Sequence, residues 1–282
     1  MAMERFLKHL GTISNLQKIA NIQDKHVELY ANTLKLNGCS DKYIKTELSA
    51  LRYWHNKIHA ARYALEDANR FNKRINLGPT SDGRADRAWT YREYEAMRSI
   101  ALTQGRSDIA KVLEGVYHTG MRLDEICTLR RSVAERALRE KLLHLSNTKG
   151  GVPRSIPLTP EALSHFEEAI NGIPRGAYVY TPKAYVNEHR IQLYERSVQD
   201  WIYKNRSCVQ DHDRNGSAHN VAPTERGGLT IHGLRHSFAR EEYQRHLKRG
   251  LSEKSARQAT AESLGHHRDS VTKIYLSLGG SL

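Results

Sequence analysis

Arg122 and Glu125 lie three residues apart in Thr119-Gly-Met-Arg-Leu-Asp-Glu125, and His232 and Arg235 lie three apart in Ile231-His-Gly-Leu-Arg-His236. On a helix, side chains at i and i+3 share a face, so the members of each pair project together. Guanidinium groups are planar, permanently charged forks that grip phosphate oxygens bidentately. Two of them beside a histidine suit cleavage of a phosphodiester, whose non-bridging oxygens gain charge in the transition state. Done without a metal, that reaction also needs an in-line nucleophile and an acid to protonate the departing oxygen. Candidates for both stand in the same part of the chain: Tyr275, nine residues after the histidine of Leu264-Gly-His266, and Lys149 in Thr148-Lys-Gly-Gly151.

These residues make demands on the elements that carry them. Nine residues of unbroken helix turn through about 900°, which would set His266 and Tyr275 on opposite faces. Convergence needs a break, and His267-Arg-Asp-Ser270 supplies one, with Asp269 or Ser270 able to cap a new short helix. Short strands are predicted at Leu142–Leu145 and Arg154–Leu158, making a hairpin with Lys149 at its turn. Lys141 is also near that hairpin, and the Thr-Lys-Gly-Gly context favours Lys149. Tyr178–Thr181 reads as a third strand, and helices are expected near 90–104, 107–118, 190–204, 231–249, 252–265 and 270–278. Residues 206–229 are polar with little apolar periodicity and read as a long loop.

Ahead of this region the pattern is different. Residues 15–76 are helical in period, and LGPTSDGRADRA, 77–88, reads as a linker between domains placed at 1–80 and 89–282. The clearest helix runs from a Ser40 cap to Ile58, with Ile44, Leu48, Leu51 and Ile58 on one face and Lys42, Lys45, Ser49 and Arg52 on another. An apolar face packs on its own domain, leaving Lys42, Lys45 and Arg52 as candidates to meet a DNA groove.

Charge supports a polyanionic partner. The 282 residues carry a net +13, with thirteen basic and eight acidic side chains in residues 1–83 and about +8 in the rest. Two basic lobes, rather than one basic tail, suit a duplex held between them through salt-sensitive phosphate contacts. No apolar run approaches the ~18 residues of a membrane span, and the start MAMERFLKHLG lacks an apolar signal core, so a cytoplasmic, nucleoid-associated protein is expected. Cys39, Cys127 and Cys208 are odd in number and far apart, which fits neither a disulfide framework nor a CxxC metal pair. His232 and His236 have the i, i+4 spacing of a zinc pair but no glutamate between them and no evident third ligand, so neither metal nor other cofactor is expected.

Taken in order, Thr119-Gly-Met-Arg122-Leu-Asp-Glu125, Lys149, His232-Gly-Leu-Arg235-His236, Leu-Gly-His266 and Tyr275 resemble the phage integrase, or tyrosine recombinase, family. Each element alone occurs by chance, whereas six catalytic types in sequence with the nine-residue His-to-Tyr spacing are specific. The resemblance implies an all-α N-terminal core-binding (SAM-like) domain followed by a mixed α/β, mostly helical, catalytic domain with a small antiparallel sheet. It implies that Arg122 and Arg235 clamp the scissile phosphate and that Tyr275 attacks to give a 3′-phosphotyrosine. His232 would be the general base, Lys149 the general acid, His266 a further hydrogen-bonding partner of the phosphate, and Glu125 a support of the site. The implied partners are double-stranded DNA bearing specific core sites, a homotetramer on that DNA, and accessory excision or architectural factors. The implied reaction integrates, excises or resolves a mobile element; a type IB topoisomerase and a non-catalytic DNA-binding regulator are the rival readings. Two departures stand out: thirty-four residues separate His232 from His266, and seven follow Tyr275.

Overall fold

The structure, a computed structural model, describes residues 2–14, 16–79, 87–146, 153–209, 229–265, 272, 275 and 276. The chain divides into two compact units, Met1–Gly83 and Arg84–Leu282.

Among its described residues the first unit contains four α-helices and no strand: α1 (Ala2–Ile13), α2 (Asp24–Leu36), α3 (Asp41–His55) and α4 (Ala68–Arg74). Helix α3 starts where its sequence says, with the Ser40 hydroxyl accepting from the Tyr43 amide at 3.3 Å. Its Ile44, Leu48 and Leu51 are buried against Phe6 and Leu10 of α1, Val27, Tyr30 and Leu34 of α2, and Phe71 of α4. Glu47 shares that buried face and is not left unpaired: Arg5 Nη2 donates to it at 2.5 Å and the Tyr30 hydroxyl at 3.3 Å. Leu77 closes this core, so the expected linker begins inside a packed unit.

The second unit begins with Ala88 and Trp89, both buried. Thr90 and Glu93 then form a reciprocal capping box, amide to side chain at 2.8 and 3.1 Å, that opens α5 (Tyr91–Thr103). Helix α6 (Ser107–Thr119) runs through the core, burying Ile109, Val112, Leu113 and Val116, and stops at Gly120, whose φ of 60° no side-chain-bearing residue adopts readily. Short α7 (Leu123–Cys127) and amphipathic α8 (Arg131–Glu140) follow. Strands β1 (Leu142–Leu145) and β2 (Arg154–Pro157) pair antiparallel, Leu142 opposite Pro157 and Leu145 opposite Arg154. Lys149 lies between them, outside the described residues.

Tyr178–Thr181 is not a third strand. Tyr178 makes an isolated bridge to Arg130, and the Val179 amide donates to Leu129 O at 2.9 Å. Leu129 and Arg130 belong to the three-residue joint between α7 and α8, too short to offer a ladder. After α9 (Pro160–Ile170) and α10 (Glu188–Asn205), the described chain resumes at Leu229 and enters α11 (Ile231–Lys248) and α12 (Glu253–Leu264). Helix α11 packs on α6 and α12, which brings the Arg122 segment at the end of α6 to the start of α11. Thr272, Tyr275 and Leu276 are helical, and the buried Tyr275 joins the core of this unit.

Candidate active site

The start of α11 carries most of the site. Trp89 anchors it: the indole Nε1 donates to Thr230 O at 2.8 Å, and the Trp89 amide donates to Ser237 Oγ at 2.8 Å. Gly233 faces that indole, and a Cβ there would stand 2.6 Å from Trp89 Nε1, so the glycine of His232-Gly-Leu-Arg235 is what lets the chain approach so closely. From this seated helix His232 and His236 project one turn apart, with Arg235 between them.

Tyr275 is held by both histidines. Its hydroxyl lies 2.9 Å from His232 Nε2, and its ring lies flat on His236, centroids 4.0 Å apart and 8° from parallel. The His232 pKa is lowered towards about 4, first by removal of its charged form from water, then by the positive charges of Arg235, Arg87 and Arg122. His232 is an exposed residue, so solvent moderates the shift; the imidazole is neutral at pH 7 in either limit and can accept the tyrosine proton.

Arg235 is 1% exposed, and among the described residues its hydrogen bonds go to carbonyls rather than to a carboxylate. Its Nη1 donates to Gly120 O and its Nη2 to Leu264 O, the terminal carbonyls of α6 and α12. Burial lowers its pKa to about 10, with Tyr275 acting the other way, so it remains a cation at pH 7. Its carbon Cζ sits 6.0 Å from the centre of the Tyr275 ring.

Arg122 occupies the N-cap of α7, and Glu125, at the third position of that helix, takes the Arg122 amide on Oε2 at 2.7 Å and Arg122 Nη1 on Oε1 at 2.8 Å. A residue absent from the sequence-based candidates completes the group. Arg154, first residue of β2, donates Nη1 to Glu125 Oε1 at 2.6 Å and Nη2 to Glu125 Oε2 at 2.5 Å. Burial would raise the Glu125 carboxyl, but the hydrogen bonds and charge of Arg154, then the Arg122 amide and the charge of Arg235, outweigh it and hold it below its ordinary range. A readable signal existed: β2 alternates buried and exposed, which puts Arg154 inward beside Ile156, and an inward charge demands a partner.

Two guanidinium groups, of Arg122 and Arg154, therefore share the Glu125 carboxylate and Arg235 adds a third positive charge, leaving a cationic excess beside a tyrosine hydroxyl bonded to a neutral imidazole. An anion with a tetrahedral centre is what such a pocket attracts, and the hydroxyl is placed to attack it. Of the sequence candidates, Arg122, Glu125, His232, Arg235 and Tyr275 are brought together here; Lys149 and His266 lie outside the described residues, with Gly265, at φ 66°, ending α12 just before His266. In the first unit, Lys42 and Lys45 line a shallow groove of about 680 Å³ with Tyr53 and Trp54. Lys45 Nζ donates to Gly78 O at 2.6 Å, whereas Arg52 turns inward, with Nε on Glu66 O at 3.3 Å and its guanidinium 4.8 Å from the Phe71 ring centre.

The phage integrase family matches residues 90–279, the stretch that holds Arg122, Glu125, Arg154, His232, Arg235, His236 and Tyr275. The chain belongs to that family.

As a family member it is a tyrosine-type DNA strand-transfer enzyme. Its fold is shared with solved relatives. A lambda integrase dimer bound to a core site has 16% identity and a TM-score of 0.63, the likeness covering 100% of this chain and 89% of that one. The integrase of transposon Tn1549, in complex with transposon right-end DNA, has 17% identity and a TM-score of 0.60 over 97% of this chain and 87% of that one. A lambda integrase tetramer bound to a Holliday junction has 16% identity and a TM-score of 0.53, covering 100% and 78%. No curated relative matches in sequence. The mostly helical second unit with its two-stranded antiparallel sheet is thus the catalytic fold of a tyrosine recombinase.

Proposed function

We propose that this recombinase exchanges DNA strands at specific core sites through a covalent intermediate on Tyr275, in the service of a mobile element. The observation that carries the reading is the Tyr275 hydroxyl 2.9 Å from a neutral His232, beside the buried cation of Arg235, which donates to two backbone carbonyls. Tyr275 Oη attacks the scissile phosphorus while His232 Nε2 takes its proton. Arg122 and Arg235 stabilise the charge that builds on the non-bridging oxygens, and His266 adds a hydrogen bond to the phosphate. Lys149 protonates the departing 5′-oxygen. The bond broken is P–O5′ and the bond formed is P–Oη, so the 3′-phosphotyrosine keeps the phosphodiester's energy until a 5′-hydroxyl from a second duplex reverses the step. No residue role in this scheme calls for a metal.

The DNA is double-stranded, and the enzyme works on it as a homotetramer, with accessory excision or architectural factors setting direction. The support is the family and the likeness to integrases solved on core-site DNA and, as a tetramer, on a Holliday junction. Residues 1–80 act as the core-binding domain, with Lys42 and Lys45 on the DNA side; the exposed Tyr53 and Trp54 flank them. Arg52, packed on Phe71, contributes to that domain's stability instead. Among the described residues no helix is long and apolar enough to cross a membrane, and the place of action is the cytoplasmic nucleoid.

The experiment is to map the DNA fragments that become covalently attached to the protein in cells, with Tyr275→Phe as the control. Adducts at a discrete sequence from the wild type and none from the Phe variant are expected. Adducts that survive denaturant in the Phe variant would overturn the assignment. Strand exchange between two marked duplexes of the recovered sequence separates a recombinase from a topoisomerase, which would relax supercoils without exchanging partners.

A further inference from the structure

Glu125 carries three arginine contacts and an amide on two oxygens, and the division among them is unequal. Arg154 spends both Nη1 and Nη2 on it, at 2.6 and 2.5 Å, whereas Arg122 gives only Nη1, at 2.8 Å. The side chains of Arg154 and Glu125 are 2% and 0% exposed, and that of Arg122 is 23% exposed. A carboxylate prefers a bidentate fork. Were Arg154 absent, both Glu125 oxygens would be open to Arg122, and the fork that should meet a phosphate would fold back onto the protein. Glu125 would also stand as an uncancelled anion beside the incoming one.

Arg154 touches two further parts of the site. It begins the strand that follows the Lys149 turn, and its side chain runs under the residue before His266, where a Cβ on Gly265 would lie 3.0 Å from Arg154 Cδ. One buried side chain thus ties together the Arg122 segment, the hairpin and the end of α12.

We propose that Arg154 is a positioning residue for the phosphate clamp: it occupies and neutralises Glu125, and so leaves the Arg122 fork aimed at the scissile phosphate. The proposal rests on the reading of Arg122 and Tyr275 given above.

Full-length Arg154→Lys is the first variant, because lysine keeps the charge but can satisfy one oxygen, not a fork. The second is Arg154→Met/Glu125→Gln, which removes both buried charges together and so keeps a folded protein available if the lysine variant unfolds. The probe is a nicked duplex of the sequence on which wild-type protein is trapped, carrying either an ordinary scissile phosphate or a methylphosphonate. Both variants should bind it with wild-type affinity. Arg154→Lys should cleave the phosphate about 10²-fold more slowly, the usual cost of misplacing a group by ~1 Å, and the double variant, which has no anion at position 125 to draw the Arg122 fork back, should show a smaller deficit. On the methylphosphonate, which lacks the anionic oxygen that Arg122 must meet, most of the Arg154→Lys deficit should vanish. An equal deficit on both substrates would assign Arg154 a general structural role and overturn the proposal, as would wild-type cleavage of the phosphate by Arg154→Lys, or a double variant impaired by about 10²-fold or more. If the wild type traps no DNA at all, the parent reading fails and this one with it.

Discussion

The ring of Tyr275 lies flat on the imidazole of His236, 4.0 Å between centroids, while its hydroxyl reaches His232 one turn earlier on the same helix. Two histidines four residues apart hold the tyrosine, one against its ring plane and the other at its hydroxyl, and under the proposed reaction the second receives the proton. His236→Ala should therefore leave DNA binding intact and slow single-turnover cleavage by about 10- to 10²-fold, as the nucleophile loses its orientation. Unchanged cleavage would show that the stack is incidental.

The lowered pKa of His232 has a sign that can be checked. A depressed value means the base stays neutral as pH falls below the ordinary histidine pKa of ~6.5, and loses function only as pH drops through the lower value, towards about 4. The cleavage rate of pre-bound enzyme should hold from pH 7 down to about 5 and decline as pH falls on towards 4. A titration limb centred at or above 6.5 in the wild type, absent in His232→Asn, would contradict the neutral, shifted imidazole.

Glu125→Ala removes the one carboxylate opposite a wholly buried Arg154. Leaving that charge uncompensated should cost roughly 3–5 kcal/mol, whereas Glu125→Ala combined with Arg154→Met should recover most of it. Denaturant unfolding of the DNA-free protein gives the comparison, and additive losses would mean the two residues do not act as a pair.

Gly233→Ala adds one methyl between α11 and Trp89, where neither the indole nor the Arg87 backbone can yield easily. A destabilisation of about 1–3 kcal/mol is expected, with loss of adduct formation, because the helix that carries both histidines must move away. Adduct formation at the wild-type rate would show that α11 tolerates the shift.

Lys149 can be isolated through the leaving group. Replacing the bridging 5′-oxygen by sulfur makes a group that departs without a proton, an effect typically worth ~10²- to 10⁴-fold. Lys149→Ala should be slow on oxygen and recover on sulfur, and Arg235→Ala should not recover, since its defect lies with the non-bridging oxygens. If Lys149→Ala is equally slow on both, Lys141 becomes the candidate acid.

The sequence alone determined the family and the class of reaction, because a phosphoryl-transfer site is written in residue types that few other roles require in that order, and their spacing singled out Arg122, His232, Arg235 and Tyr275 as its candidates. It also determined the helix of strongest period, α3, since its Ser40 cap and its apolar stripe are local properties. Tyr178–Thr181 reads as a strand from its composition, but pairing depends on a partner that only the path between α7 and α8 supplies, and that path is three residues long. The inward turn of Arg52 onto Phe71 and the stacking of His236 on Tyr275 were likewise settled by distant neighbours. Arg154 is the clearest case. Its burial is implied by strand alternation, but that its fork meets Glu125, twenty-nine residues earlier, follows only from the packing of β2 beside the α7 turn, where a low-dielectric interior forces every charge to find its complement.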